Sequence, residues 1–241
     1  MSANLLTLSG VHTHIGAYHI LHGVDLAVPR GQLTMLLGRN GAGKTTTLRT
    51  IMGLWRASKG KVDFEGRDIT AMETPLIARH DIAYVPENMG IFADLTVKEN
   101  MLLAARSAKR AQQMDAQRLQ WIFSLFPAVE KFWNHPAGKL SGGQKQMLAV
   151  ARAIVEPRKL LIVDEPSKGL APAIINNMID AFAQLKRTGT TLLLVEQNLS
   201  FAKRLGDHVA VMDNGCVVHA GSMQELSDNE DLQHRLLGLA I

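Results

Sequence analysis

Apolar positions along the chain follow two rhythms. Leu33–Leu37, Leu160–Val163 and Thr191–Val195 are short, nearly unbroken apolar runs, the pattern of strands buried on both faces. Leu5–Val11 alternates and reads as an edge strand, and Val24–Val28 reads as a second strand closed by Pro29-Arg30-Gly31. Lys59–Gly66 and Ile82–Val85 are further short strands bounded by turn residues or proline, and these early strands are expected to form an antiparallel layer. Elsewhere the period lengthens to three and four. Thr46–Met52 reads as a helix, and Ile174, Met178, Ala181, Phe182 and Leu185 trace one face of another. From Thr96 to about Val155 the pattern is helical throughout, with Val97, Met101, Leu102 and Ala105, then Leu119, Ile122, Phe123 and Phe126, as packing positions. His208–Met212 and Cys216–Ala220 flank Asn214-Gly215, a type I′ hairpin signal, and the chain from Met223 on is helical and polar. Strands alternating with helices predict an α/β fold in which a mainly parallel sheet is covered on both sides. A helical subdomain, roughly 96–155, is inserted into this core, and residues 1–241 form a single domain.

Gly38-Arg39-Asn40-Gly41-Ala42-Gly43-Lys44-Thr45 stands between the strand Leu33–Leu37 and the helix Thr46–Met52. It fills every fixed position of the phosphate-binding P-loop. Glycines let successive N–H groups approach phosphate oxygens, Lys44 reaches the terminal phosphates, and the Thr45 hydroxyl holds Mg²⁺. The helix N-terminus, including Thr46, adds its positive dipole end. The expected ligand is therefore a nucleoside triphosphate with Mg²⁺. Asp164-Glu165 closes the strand Leu160–Val163, where Asp164 suits the metal and Glu165 suits the attacking water.

Composition narrows the setting. With 241 residues, 46% hydrophobic and 20% charged, the sequence is that of an ordinary globular chain. No apolar run approaches the roughly 18 residues that span a bilayer, and Met1–Asn4 has no signal-peptide character. The single cysteine, Cys216, cannot form an internal disulfide and suits a reducing cytoplasm. A net charge of +4 is spread without a dense basic tract, so no nucleic-acid partner is expected.

Leu140-Ser141-Gly142-Gly143-Gln144 precedes an apolar helix through Met147, Leu148, Ala151 and Ile154. With the P-loop upstream and Asp164-Glu165 downstream, the chain resembles the ATP-binding subunits of ABC transporters over nearly its full length. That resemblance implies a P-loop NTPase of the ABC ATPase type that hydrolyses ATP. It also implies that Ser141, Gly142, Gly143 and Gln144 contact the γ-phosphate held by a second, identical or homologous, subunit.

Three departures narrow the resemblance. Glu87 stands where the family usually has Gln, Gln197 where it usually has His, and Ser167–Pro172 lacks the usual Asp. The set resembles the LivF-type subunits of branched-chain amino acid importers, and importers of urea or short amides share much of it. The resemblance implies that Glu87 ligates magnesium or reads the coupling helix of the membrane subunit, its charge offset by a nearby Lys or Arg. With Gln197 lacking an imidazolium's charge, the site built on this chain's P-loop is expected to hydrolyse ATP more slowly than that of a paired, His-containing subunit. The aromatic that stacks on adenine falls near Ile15, so either Tyr18 covers the base or Ile15 gives apolar contact alone.

The implied partners are integral permease subunits and, indirectly, a solute-binding protein. They would hold the chain on the cytoplasmic face of the inner membrane. A soluble ABC-type ATPase acting elsewhere is the competing reading, although such proteins typically carry two nucleotide domains or long insertions. A GTPase would need an Asn-Lys-x-Asp motif, which this sequence lacks. A sensor that binds ATP without turnover is disfavoured by Lys44, Asp164 and Glu165.

Overall fold

The computed structural model describes residues 3–105 and 114–238. The expectation for Met1 and Ser2, and the stretch 106–113 of the predicted helical segment, lie outside them.

In chain order, β1 (Asn4–Ile15) and β2 (Tyr18–Pro29) form a hairpin, and β3 (Leu33–Gly38) leads into α1 (Lys44–Ile51). β4 (Ala57–Phe64) and β5 (Arg67–Asp68) precede α2 (Thr74–Ala78) and β6 (Ile82–Val85). Then come α3 (Val97–Ala104), α4 (Ala116–Leu125), α5 (Pro127–Lys131) and α6 (Gly142–Ala153). The α/β pattern resumes with β7 (Leu160–Asp164), α7 (Pro172–Arg187), β8 (Thr191–Glu196) and α8 (Leu199–Leu205). β9 (His208–Asp213), β10 (Cys216–Ser222), α9 (Met223–Asp228) and α10 (Glu230–Leu237) complete the described chain.

Two sheets organise these elements. The larger has the order β10-β9-β3-β8-β7-β6, and all its pairs are parallel except the β9–β10 hairpin. Its strands alternate between two cores. Leu33, Met35, Leu37, Leu161, Val163, Leu192 and Leu194 pack with α3–α8, whereas Leu36, Leu160, Ile162, Leu193 and Val195 pack with α1 and the smaller sheet. Strands apolar on both faces are what a sheet covered on both sides requires. Asn214 (φ 45°) and Gly215 (φ 76°) both take positive φ at the β9–β10 turn, as a type I′ turn demands.

The smaller sheet is antiparallel, ordered β2-β1-β4-β5. Two expectations are corrected here. The Leu5–Val11 stretch is not an edge: β1 lies between β2 and β4 and runs the full length of the hairpin. Ile82–Val85 does not join the antiparallel layer but forms the parallel edge of the larger sheet beside β7. Four residues alternate too briefly to disclose a partner, and that pairing is set by the chain's return across the sheet. The two layers are joined through α1, where the Thr50 and Thr13 hydroxyls meet at 3.0 Å in a buried contact. Among the described residues no helix is long and apolar enough to cross a membrane.

Candidate active site

Apart from Tyr18 on the β1–β2 hairpin, the groups of the site sit at or just beyond the C-terminal end of a parallel strand or at the start of a helix. β3 is buried along its whole length and delivers Gly38 into the P-loop. Gly38 (φ 154°) has no room for a side chain, because a Cβ there would meet the Met212 carbonyl oxygen at 2.4 Å. Gly43 (φ 103°) stands at the start of α1 with no side-chain cap, which leaves the first N–H groups of the helix to an anion. Ala42 and Gly43 are buried, Thr46 is half-buried, and Arg39, Asn40 and Gly41 are exposed at the rim. The cradle thus fits a polyphosphate.

Lys44 is buried, and its ammonium donates to the carbonyls of Gly38 (2.9 Å) and Arg39 (3.0 Å). Burial lowers its pKa, an effect that Glu165 and Asp164 partly oppose. At the end of β7, Asp164 accepts a hydrogen bond from Thr45 Oγ1 (3.2 Å) and a long one from the Tyr84 hydroxyl (3.5 Å). Burial pushes Asp164 up; the Thr45 bond and Lys44 oppose this, whereas Glu165 and Glu87 add to it. Burial also drives the Tyr84 phenol up to about 12. A buried carboxylate beside a hydroxyl, next to the P-loop, fits a hard cation that keeps several waters.

Glu165 is the most heavily engaged side chain. Gln197 Nε2 donates to its Oε1 at 2.6 Å, Lys44 Nζ stands 3.8 Å from the same oxygen, and Lys168 Nζ lies 3.1 Å from Oε2. Burial would raise its pKa, but these donors and cations prevail and hold it below the usual value. Gln197 Nε2 also donates to Asn40 Oδ1 at 2.7 Å, tying β8 to the P-loop. Glu87 pairs with Lys168 at 2.7 Å, which offsets its charge.

Ser141 caps α6 by accepting from the Gln144 N–H (3.3 Å), and the Gln144 side chain accepts from the Ser141 N–H (2.9 Å). Ser141 and Gly142 are exposed. Gly143 lies against α7, where an added Cβ would meet Ile174 Cγ2 at 2.9 Å. Tyr18 is 76% exposed at the hairpin tip, paired with Ile15 in register, so its ring is accessible to a planar base.

Three features were not singled out from sequence. Lys168 joins two acidic groups that are far apart along the chain. Glu196, at the buried end of β8, accepts from the N–H groups of Ser167 (2.8 Å), Gln197 (3.2 Å) and Asn198 (3.3 Å). An acidic residue closing an all-buried strand was the available signal for it. On the other face of the hairpin, His12, His14, His19 and His22 gather, with ring centroids from His19 at 5.2, 4.2 and 4.1 Å.

A P-loop on a parallel sheet, an Asp-Glu pair beside it and an outward-facing Ser-Gly-Gly helix define an ATP-binding cassette. The ABC transporter family profile matches residues 21–168, and the chain belongs to that family as an ATP-hydrolysing subunit. It is 37% identical over 237 residues to the high-affinity branched-chain amino acid transport ATP-binding protein BraG of Pseudomonas aeruginosa, covering 97% of this chain and 100% of that one. It is 34% identical over 222 residues to the probable branched-chain amino acid transport ATP-binding protein LivF of Archaeoglobus fulgidus, covering 92% and 93%. A solved ATP-binding cassette of an ABC transporter in its ADP conformation superimposes with a TM-score of 0.82 at 26% identity, covering 99% and 100%.

Proposed function

We propose that this chain drives an importer of branched-chain amino acids as one of two paired ATP-binding subunits on the cytoplasmic face of the membrane. The observation that carries the catalytic reading is the convergence of Lys44, Gln197 and Lys168 on Glu165, beside the P-loop. Glu165 takes a proton from water as the water oxygen bonds to the γ-phosphorus. The bond from that phosphorus to the β–γ bridging oxygen breaks, and its electron pair leaves with ADP. Lys44 offsets the charge that develops on the phosphate oxygens. Gln197 orients the water through its amide, and without an imidazolium's charge it supports slower turnover than His would. Thr45 and Asp164 would hold Mg²⁺, which neutralises phosphate charge when bound. Ser141–Gln144 serves the nucleotide of the other subunit, and Tyr18 serves the adenine of its own.

We treat residues 1–241 as one domain whose helical part, about 96–155, carries motion to the membrane subunits. An open groove of about 780 Å³ between this part and the sheet is the proposed permease-docking face, lined among others by Trp55, Pro86, Asn88, Met89 and Arg152. Among the described residues, Trp55 Nε1 and Arg152 Nε are buried donors without a hydrogen-bond partner, which a docked segment could supply. The solute reading rests on similarity to BraG and LivF, and a solute-binding protein would select the solute. The test is ATP turnover and ATP-dependent pairing of the purified chain, with Glu165→Gln alongside. Loss of turnover with retained ATP-induced pairing is expected; undiminished turnover in Glu165→Gln overturns the catalytic reading. Uptake of labelled leucine by the assembled transporter tests the solute.

A further inference from the structure

Four of the nine histidines, His12, His14, His19 and His22, fall in the β1–β2 hairpin and gather on its face away from α1. Simple alternation along the strands does not bring them there. On β1, Thr13 is buried with its hydroxyl on Thr50 of α1, so His12 and His14 flank it on the opposite face. On β2, Val24 pairs with Val11, His22 with His12, Leu21 with Thr13 and His19 with His14. The residues skipped in that register, Gly23 and Ile20, are single-residue bulges, and each reverses the face of the residues before it. Without the bulge at Gly23, His22 would share the buried face of Val24. Without the bulge at Ile20, His19 would share the face of buried Leu21. Gly23 takes a φ of 91°, and a Cβ on it would meet His12 Nε2 at 3.3 Å, so this bulge also seats the His12 ring.

The rings are close enough to share a ligand. His12 Nδ1 and His19 Nε2 stand 3.1 Å apart. Two nitrogens bound to one tetrahedral Zn²⁺ stand about 3.3 Å apart. His14 stacks on His19 with centroids separated by 4.2 Å and planes within 4°, and the His22 centroid lies 4.1 Å from that of His19. Ser58 sets the tautomer of His14. Its hydroxyl donates to the His12 carbonyl at 3.3 Å, so its oxygen accepts from His14 Nδ1–H at 3.1 Å, and the ring's lone pair is left on Nε2. An imidazole that gives one N–H to an oxygen and presents its other nitrogen is arranged as metal-ligating histidines are. Among the described residues no three such donors already converge on one point. His14, His19 and His22 are exposed, so rotation of a ring can bring a third donor to the His12–His19 pair. Lys59, opposite His12 in register, is also exposed, which lets its ammonium stay in water.

We propose that this face binds a divalent transition metal that prefers imidazole, of the Zn²⁺ and Cu²⁺ type. His12 and His19 supply two ligands, His14 or His22 turns in as the third, and water completes the shell. His14 and His19 directly flank the hairpin tip Ile15–Tyr18, so the bound cation ties β1 to β2 at the neck of the segment that presents Tyr18.

The test is calorimetric titration of the purified, nucleotide-free chain with Zn²⁺, in excess Mg²⁺ to occupy oxygen ligands beside the P-loop. One Zn²⁺ is expected per wild-type chain. His19→Ala weakens binding by about 100-fold or more, beyond the roughly 10–100-fold that loss of a supporting partner costs, and so does His12→Ala. His135→Ala, outside the cluster, leaves binding unchanged. So does Cys216→Ser, which removes the thiol 3.4 Å from the His22 carbonyl. Cu²⁺ on the wild-type chain shows at least two imidazole nitrogens by electron paramagnetic resonance, and His19→Ala removes one. The two alanine variants remove different rings, so a folding defect in one leaves the other to decide. Failure of the wild-type chain to bind Zn²⁺ overturns the proposal, as does wild-type affinity in a folded His19→Ala or His12→Ala. Loss of binding in Cys216→Ser, or a Cu²⁺ spectrum with fewer than two nitrogens, overturns it equally.

Discussion

The two phosphate-facing regions of this chain are held in opposite ways. Around the P-loop, the groups are bonded across the sheet, with Asp164, Ser167 and Glu196 buried: Thr45 to Asp164, Gln197 to Asn40, Ser167 to Glu196. At the start of α6, the Ser141 and Gln144 side chains bond each other's backbone and the exposed Ser141-Gly142 edge faces out. The first region is organised by contacts between distant strands, and the second by a local cap any isolated helix could make. The lesson is a division of labour. The cradle is built within one fold, whereas the exposed α6 terminus, in the function proposed above, would serve a nucleotide held by another subunit.

The comparison is sharpened most by removing one polar side chain from each side. Lys44→Ala is expected to cut turnover about 10²–10³-fold, the scale of losing one pre-organised electrostatic donor. Ser141→Ala is expected to lower turnover of the pair by about tenfold while leaving ATP affinity of the single chain unchanged by calorimetry. Equal loss of single-chain affinity in both variants would break the contrast. Stability gives the next effect. Glu196→Ala strands the buried Ser167 N–H and two part-buried N–H groups and should cost roughly 1–3 kcal/mol in denaturant unfolding, against about 0.5–1 kcal/mol for Gln144→Ala at the exposed cap.

The smallest effect lies on the hairpin face away from the phosphates. His19 holds its proton less tightly than the ordinary value of 6.5 because neighbouring rings displace water, and because His22, His14 and His12 repel a charge. Between its folded value and 6.5 the unfolded chain binds more protons, so stability rises with pH across that window. The penalty is complete below the folded value and gone above 6.5. A lower melting temperature near pH 5 than near pH 7.5 is expected, and His19→Asn should reduce the difference; an unchanged pH slope in that variant would refute it.

Legibility in sequence followed the range of the interactions. The P-loop, the strand ending in Asp164-Glu165 and the cap at Ser141 are fixed by glycine spacing and short-range bonding, so their residues announce themselves. The apolar runs of β3, β7 and β8 disclosed a doubly covered sheet because both faces of each strand had to be buried. The neighbours of β1 and β6 were hidden, since strand order depends on where the chain returns. The bridge from Lys168 to Glu87 was visible only as an expected compensating charge, because its ends lie 81 residues apart. The histidine cluster depends on a β1–β2 register broken by several shifts, which no count along the sequence supplies.

Gly143 against Ile174 has a consequence for how ATP concentration is read. The turn after β7 ends only a few residues before Ile174, so a short segment separates the chain's own cradle from the α6 terminus that Ile174 packs against. In the pair proposed above, each nucleotide would be gripped by one chain's cradle and the other chain's α6. Displacing one grip therefore shifts the other, and the two occupancies cannot be statistically independent. Saturation by ATP should be sigmoidal, with a Hill coefficient above unity and bounded by the number of sites.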